Sequence, residues 1–467
     1  MIKESHTNQH LSYQVVIKFT EGFRLPDQEL DEEHNGISTQ WRLLELFPGV
    51  QVKKLFHSVG SEQIKNLTAQ ATKKDPTYHA PDFFSFYSLN CPVSIDPSEL
   101  LTVLGRQELI EHAYIENIPA RPPALSNEKE VTALLPNYLL PAPFGVNALY
   151  AWNFKGGNGE AKIKFVDIEQ GWLFNHENVS VKTLSCTGIN HDDFQDHGIG
   201  VLGIIMMQHD DARGITPNAN GFVISQWRPD GFFNTSDAIM AAINELSCGD
   251  ILLLEMQCFE SASSSKLWPI EIQEAVFHAI RLATALGIIV IETAGNGDLE
   301  SRTGNDLDNL LIKGENILNR NSSDFRDSGA IFVSACSNDL PHQRADFANY
   351  GSRVDCFAYG QNVHTTGNFP RSSGMAINTF TNQFGGTSAA AAIVTGATVA
   401  IQCISERNKE ARLSPGQMRF IVSSELYNTI SANGKKDKIG RMPDLKKIID
   451  YYFNINATNK KQRQLID

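Results

Sequence analysis

Short apolar segments alternate with helical patterns from about residue 143 onward. The apolar segments are strand candidates, and they read AKIKFVDI, GFVISQW, DILLLEMQ, GIIVIETA, AIFVSAC and VDCFAY. Between them, SDAIMAAINELSCG and IEIQEAVFHAIRLATALG place apolar residues three or four positions apart, which predicts helices. Strands that are apolar throughout are typical of a mostly parallel sheet with helices on both faces. The pattern therefore predicts an α/β fold.

The first 120 residues have a different pattern. YQVVIKFTEG is a strand candidate, two helical stretches follow, and HAYIENI is a candidate for a closing strand. The segment PARPPALSNEKE then has the composition of an exposed linker. We therefore predict a small α+β domain over residues 1–120, a linker over 121–142, a large α/β domain over 143–455 and a polar tail over 456–467.

The charge of the chain narrows the range of partners. The chain has 467 residues and a formal net charge of −13 at pH 7. Nucleic acid and anionic membranes are bound through basic surfaces, so neither is expected as a partner. The apolar run SAAAAIVTGATVAIQCI contains Gly396 and Gln402 and is shorter than the ~20 residues of a membrane span, so we expect a buried helix there.

The spacing of the cysteines and the composition of the first residues indicate the cellular compartment. The seven cysteines are scattered and form no C-x-x-C pair, which favours free core thiols over disulfides or a zinc site. The segment MIKESHTNQHLSYQ has no apolar stretch of the kind found in secretory signal peptides. We expect a protein that is cytoplasmic as synthesised, with leaderless secretion as an open alternative.

Polar side chains with catalytic chemistry lie next to the predicted strands and helices. In an open parallel sheet, catalytic groups gather beyond the carboxyl ends of the strands. The candidates are Asp167, which ends AKIKFVD, His197 before GIGVLGIIMM, Asn296 after GIIVIETAG, and Ser388 before an alanine-rich helix. Serine becomes a nucleophile when an imidazole takes its proton and a third group orients that imidazole. Asp167, His197 and Ser388 can fill these roles, and Asn296 can donate a hydrogen bond to an oxyanion.

The sequence around these residues resembles the subtilisin-like serine proteases, the subtilases. The matching blocks are IKFVDIEQGWLFNHENV, DHGIGVLGI, TAGN and GGTSAAAAIVTGA, with aspartate, histidine and serine in the family's order. GITPNANGFVIS, RADFANYGSRVDCFAYGQNVHTTG, LSPGQMRFIV and IGRMPDLKKII are similar to further segments of the family. The resemblance implies a subtilisin-like sheet sandwiched by helices over residues 143–455.

The resemblance also implies a function, that of a serine endopeptidase which cleaves protein or peptide substrates through an acyl-enzyme. Asp167, His197 and Ser388 would be its triad, and Asn296 its oxyanion donor. No organic cofactor is needed and no metal ligand is assigned; the family often binds structural calcium, but no specific ligand run assigns a calcium site here. The alternative is a catalytically silent subtilase fold that acts as a peptide-binding or regulatory module.

The N-terminal domain resembles a subtilase propeptide. YQVVIKF and AYIENIP are similar to the opening and closing segments of such domains. The resemblance implies an intramolecular inhibitor or folding aid, and therefore a zymogen that is cleaved within residues 117–140.

Two positions depart from the family pattern near the predicted aspartate and the central helix. A small residue and a glycine usually follow the catalytic aspartate, but here Ile168 and Glu169 follow it and Gly171 comes later. The proline common four residues after the serine is replaced by Ala392.

The predicted substrate-binding edge also departs from the family. A Ser-Leu-Gly pattern is replaced by Glu255, Met256 and Gln257. We expect these three residues to bind substrate. A charged Glu255 would favour lysine or arginine before the scissile bond, or would raise the pKa of His197 if it lies closer to the imidazole.

The segment HDDFQDHGIG, residues 191–200, permits a second interpretation. Its two histidines and three aspartates could hold a divalent metal, or His197 could be a general base among solvated loop residues. His191, Asp192 and Asp193 follow the turn TGIN without helical i, i+4 pairing, which disfavours the metal site.

Overall fold

The computed structural model describes residues 13–25, 46–92, 94–116, 131–184, 186–261, 264–367, 370–371, 374–375 and 378–455. The predicted tail 456–467 and residues 121–130 of the predicted linker lie outside the described residues.

The N-terminal unit is a four-stranded antiparallel sheet with two helices. Its elements are β1 (Tyr13–Phe19), β2 (Gln51–Lys54), α1 (Ser61–Lys74), β3 (Phe86–Cys91), α2 (Pro97–Leu104) and β4 (Ile110–Glu116), and the sheet order is β2-β3-β1-β4. Side chains alternate along β1, so that Val15 and Ile17 pack with α2 while Val16 faces the opposite way. This is the small α+β arrangement that the sequence predicts.

The remaining elements form the large unit. Its strands are β5 (Lys164–Glu169), β6 (Lys182–Thr183), β7 (Asn220–Ser225), β8 (Ile251–Leu254), β9 (Gln257–Phe259), β10 (Lys266–Pro269), β11 (Ile289–Thr293), β12 (Gly297–Asp298), β13 (Ile331–Cys336), β14 (Cys356–Tyr359), β15 (Val363–Gly367), β16 (Pro370–Arg371), β17 (Gly374–Met375), β18 (Thr379–Phe384), β19 (Thr429–Ile430) and β20 (Arg441–Met442). Its helices are α3 (Ala148–Ala151), α4 (Gln195–Met206), α5 (Thr235–Glu245), α6 (Glu274–Ala285), α7 (Gly386–Lys409), α8 (Pro415–Ser423), α9 (Gly434–Asp437) and α10 (Leu445–Lys447).

A nine-stranded sheet organises this unit, in the order β19-β20-β14-β13-β11-β8-β5-β7-β6. All neighbouring pairs are parallel except β19 with β20. One face packs against α4 and α7, and the other against α5 and α6. The predicted α/β class, with a mostly parallel sheet between helices, is confirmed.

The alternation of side chains along β5 decides which residues reach the α4 and α7 face. Phe165 belongs to the core on this face, whereas Val166 and Ile168 belong to the core under α5 and α6. Asp167 and Glu169 therefore lie on the same face as Phe165. Both side chains are buried.

Helix α7 is the central helix of the large unit. It is long and apolar enough to cross a membrane, but its most apolar 18-residue window is entirely buried inside the protein. The buried helix expected from its alanine-rich sequence is therefore present. The seven cysteines, all in described segments, are free as expected; five of them are buried, whereas Cys186 is half-buried and Cys248 is exposed.

The large unit begins before residue 143. Tyr138 and Leu139, which the predicted linker includes, are buried in the core beside α7. The backbone N–H of Val146 donates to the carbonyl of Tyr138, which ties this segment to the start of α3.

The close packing of α4 on β15 makes a test of this fold. A Cβ atom at Gly203 would lie 2.2 Å from Thr366 Oγ1 and 2.3 Å from Thr365 Oγ1. We expect Gly203→Ala to lower the free energy of unfolding by about 1–3 kcal/mol. Gly416 in α8 has open space around its Cβ position, so Gly416→Ala should cost nothing and stabilise by up to about 1 kcal/mol. Denaturant unfolding of both variants measures this, and equal stability of the two would contradict the packing.

Candidate active site

A carboxylate and an imidazole form the centre of the site. Glu169 is the last residue of β5, and His197 lies in the first turn of α4. Glu169 Oε2 lies 2.6 Å from His197 Nδ1. Only 5% of the Glu169 side chain and 12% of the His197 side chain are exposed, so the pair is largely shielded from water. Because the carboxylate accepts, Nδ1 carries the proton and Nε2 is free to act as a base.

Two glycines allow α4 to approach the end of β5. A Cβ atom at Gly171 would lie 2.2 Å from the carbonyl oxygen of His191. A Cβ atom at Gly198 would lie 2.2 Å from the carbonyl oxygen of Gly171 and 2.5 Å from the ring of Trp172. The start of α4 therefore lies directly on the turn after β5, which brings His197 to Glu169.

From the sequence we predicted that Asp167 joins His197, but the described structure does not join them, and Asp167 contacts Trp172 instead. Its Oδ2 accepts a hydrogen bond from Trp172 Nε1 at 2.7 Å, and its Oδ1 has no hydrogen-bond partner among the described residues. Asp167 lies two residues before Glu169 on β5, and no hydrogen bond joins it to His197 among the described residues. Glu169 makes the contact with the imidazole that we predicted for Asp167.

A signal for Glu169 was present in the sequence. Gly171 appeared late relative to Asp167, but it stands two residues after Glu169, where the family pattern has its glycine. The prediction followed the identity of the aspartate instead of the position of the glycine. Because residues two apart on a strand share a face, alternation alone did not separate the two carboxyl groups.

Ser388 lies in the first turn of α7 and is largely buried. Gly386, with φ +81°, allows the chain to turn sharply into the helix. The backbone N–H and the hydroxyl of Thr387 both donate to Asn296 Oδ1, at 2.8 and 3.0 Å. These two bonds fix the orientation of the amide, so that Asn296 Nδ2 remains available as a donor beside the start of α7.

The start of α7 and the start of α4 are neighbours. The His197 ring lies 5.5 Å from the ring of Phe384, which precedes the glycines of the serine loop. His176 Nε2 lies 3.1 Å from the carbonyl oxygen of Thr379 on β18 and donates to it, so His176 has a structural contact. Among the described residues, no hydrogen bond joins Ser388 Oγ to His197. The structure thus forms the acid–histidine contact and places the serine in the adjoining helix turn.

The electrostatics of the two carboxyl groups on β5 are set by burial. Burial, and then the charge of Glu169, raise the pKa of Asp167 well above its usual range. Burial also raises the pKa of Glu169, although His197 opposes the shift. For His197, burial lowers the pKa, but the charge and hydrogen bond of Glu169 outweigh it and the pKa is raised. Of the two acids, only Glu169 has a contact with His197 that favours its carboxylate form.

The three residues predicted to bind substrate have different surroundings. Met256 is 2% exposed and packs in the core under α5 and α6, so its side chain does not line a pocket. Gln257 Oε1 accepts from the backbone N–H of Asn296 at 2.8 Å and thus helps to hold Asn296 in place. The carboxyl oxygens of Glu255 are shielded from solvent, and burial raises its pKa well above the usual range. Burial thus disfavours the charged form of Glu255 on which the predicted preference for lysine or arginine depends, and that preference stays a prediction.

The segment from His191 to His197 does not form a metal site in the described structure. His191 accepts a hydrogen bond from the backbone N–H of Asp193, and Asp196 accepts one from the backbone N–H of His197. Within the described ranges, no group of three or more His, Cys, Asp or Glu side chains is arranged to hold a metal ion.

Comparison with known families agrees with this geometry. A model of the subtilase family matches residues 174–441, more than half of the chain. The chain belongs to the subtilase family. A comparison with curated proteins gives no match. Subtilases are serine peptidases, so the resemblance seen in the sequence and the observed fold lead to the same family.

The family match includes His197, Asn296 and Ser388 and begins five residues after Glu169. The histidine, asparagine and serine blocks therefore lie within the recognised part of this subtilase. Asp167 and Glu169 both lie before the matched residues, in the segment where this chain departs from the family pattern.

A matched pair of isosteric variants tests which carboxyl group serves the histidine. We expect Glu169→Gln to lower the rate at which a fluorophosphonate labels Ser388 by at least about a hundredfold. Asp167→Asn should change it by less than about tenfold, because that side chain only accepts from Trp172. Thermal unfolding of both variants controls for folding. A larger loss in Asp167→Asn than in Glu169→Gln would contradict the assignment.

Proposed function

We propose that this subtilase is a serine endopeptidase with a Glu169–His197–Ser388 triad. The observation that carries the proposal is the 2.6 Å contact of Glu169 with His197 Nδ1, at a helix start adjacent to the one that bears Ser388. An imidazole whose Nδ1 is held by a carboxylate has Nε2 free for the serine proton. The family match over His197 and Ser388 supports the same roles.

The proposed reaction is acyl transfer. His197 takes the proton of the Ser388 hydroxyl, Ser388 Oγ attacks the peptide carbonyl, and Glu169 stabilises the imidazolium. His197 then gives the proton to the leaving amine, and water hydrolyses the acyl-enzyme. In this mechanism Ser388 Oγ forms its hydrogen bond to the imidazole when substrate binds, since catalytic hydrogen bonds are often long in the free enzyme. No organic cofactor takes part in these steps.

Asn296 supports the proposal as an oxyanion donor. Its Oδ1 is occupied by Thr387, so Nδ2 is directed away from that contact and can donate to the developing negative charge. The backbone N–H of Ser388, in the first turn of α7, is a second donor at a helix N-terminus. Gln257 holds the backbone of Asn296 in place.

A second candidate is the silent subtilase fold, used as a peptide-binding or regulatory module. The observation that favours it is that the Ser388 hydroxyl is not hydrogen-bonded to His197 in the described structure. The two candidates differ in whether Ser388 Oγ is reactive, so an experiment that measures this reactivity distinguishes them.

A fluorophosphonate probe tests the proposed function. We expect covalent labelling of wild-type protein and cleavage of an unfolded protein substrate, with both lost in Ser388→Ala. Thr387→Ser, which keeps the hydroxyl that contacts Asn296, serves as a control and should still be labelled. Labelling that persists in Ser388→Ala, or that is absent from folded wild-type protein, would overturn the peptidase proposal and favour the silent module.

We further propose that the N-terminal unit acts as an intramolecular inhibitor or folding aid. Its core side chains Val16, Leu55 and Ile64 join the apolar core formed with α5 and α6. The described chain leaves the unit at Glu116 and resumes at Val131, which pairs with Phe380 on β18. The part of the predicted cleavage segment that covers residues 117–130 lies outside the described residues.

Helix α5 provides a polar contact for this unit. Asp237, in its first turn, accepts from the backbone N–H groups of His57 and Ser58 at 2.8 and 2.9 Å. Arg228 pairs with the same carboxylate at 3.0 Å, and both side chains of the pair are fully buried. Glu116 accepts from the backbone N–H of Thr235, the first residue of α5, at 2.8 Å. Both ends of the contact thus use carboxyl groups at a helix N-terminus, where negative charge is favoured.

Glu116 and His57 both make the contact between the N-terminal unit and α5 less stable as pH rises. Burial, opposed by hydrogen bonds from Thr235 and Gln14, raises the pKa of Glu116 to about 7. Burial lowers the pKa of His57, but Asp230 and Asp237 outweigh it and the pKa is raised. Both groups bind protons more tightly in the docked state, so their stabilisation is complete at low pH and is lost as pH rises through the docked pKa.

The variant Glu116→Gln tests this pH dependence. Wild-type stability should fall relative to Glu116→Gln as pH rises from about 5 to 7, by roughly 1 kcal/mol per pH unit. Denaturant unfolding of the full chain at several pH values measures the difference. Glu111→Gln, which removes a more exposed carboxylate of the same strand, should follow wild type. A constant difference between Glu116→Gln and wild type would contradict the prediction.

A further inference from the structure

Glu255 lies at the carboxyl end of β8, next to the catalytic acid. The register of β5 with β8 pairs Asp167 with Leu253 and Ile168 with Leu254. Continuing this register by one residue places Glu255 beside Glu169. Leu253 packs in the core on the α4 and α7 face, so Glu255, two residues later, is directed to the same face as Asp167 and Glu169.

The surroundings of Glu255 leave its carboxyl group almost without partners. Both oxygens are shielded from solvent, and neither has a partner with full hydrogen-bond geometry among the described residues. The Ser388 hydroxyl, in the first turn of α7, lowers the pKa of this carboxyl group as a hydrogen-bond donor, against the rise that burial causes. The nucleophile that the mechanism requires therefore has a buried carboxyl group as its neighbour.

Three carboxyl groups thus share this face with a single imidazole. His197 is already paired with Glu169 and is also influenced by Asp196. Burial, and then the charges of Glu169 and Asp167, raise the pKa of Glu255, while Ser388 lowers it. A second negative charge here would have no cation to balance it.

We propose that Glu255 is a positioning residue whose carboxyl group, in its uncharged form, holds the Ser388 hydroxyl. When Glu255 loses its proton, the site becomes inactive. The inference rests on the proposed function. In the acyl-transfer transition state a negative charge develops on the oxygen bound at Asn296, which contacts the first turn of α7. An uncharged Glu255 leaves that charge stabilised, whereas an ionised Glu255 repels it and binds the serine proton in competition with His197.

The pH dependence of fluorophosphonate labelling tests the inference. For wild type, the rate should rise with pH as His197 loses its proton and fall again at higher pH as Glu255 ionises. Glu255→Gln, which mimics the uncharged acid, should keep the maximal rate within about threefold and lose this fall. Glu255→Ala should lower the rate at least about tenfold at every pH, because the hydroxyl loses its neighbour.

The controls separate this inference from the proposed function. Glu260→Gln removes an exposed carboxylate five residues further along and should follow the wild-type profile. If wild type is labelled but its labelling rate does not fall at high pH, the role of Glu255 is overturned and the peptidase proposal stands. The same holds if the fall in rate persists in Glu255→Gln. A folded wild type that is not labelled at any pH overturns both. Circular dichroism and thermal unfolding of Glu255→Ala establish that its loss of rate is not a loss of folding.

Discussion

The hydrogen bond between Glu169 and His197 determines how α4 packs on β5 and how the groups of the site are protonated. A carboxylate buried at the end of a parallel strand is costly unless a partner compensates it, and the imidazole is that partner. The pair can form only because Gly171 and Gly198 let α4 lie on the turn after β5. The tautomer of His197, the direction of its pKa shift and the protonation of neighbouring acids all depend on this one contact.

The fold of the large unit followed from patterns that are local in the sequence. Apolar strands, helical periodicity and the blocks around His197, Asn296 and Ser388 predicted the parallel sheet, the helices and the family. These features can be predicted from the sequence because the burial of each segment against a neighbouring layer determines its pattern of apolar residues. The position of Tyr138 and Leu139 was missed, because a short segment after a proline-rich stretch carries no periodicity to show that it is packed.

From the sequence we predicted Asp167 as the acid of the site, whereas the structure joins Glu169 to His197. Asp167 and Glu169 share a strand and a face, and only the approach of α4 selects the later one. The role of Glu255 is less accessible still, since it depends on the register between β5 and β8 and on the approach of α7. Such contacts join residues far apart in the chain, and no local pattern encodes them.

The apolar contact between the N-terminal unit and helices α5 and α6 has a consequence for the large unit alone. Val16, Leu55 and Ile64 cover part of a core that continues beneath those two helices. If the N-terminal unit is removed, α5 and α6 expose an apolar surface of the kind that promotes association between proteins. The solubility of the large unit alone therefore depends on what covers this surface in place of the N-terminal unit.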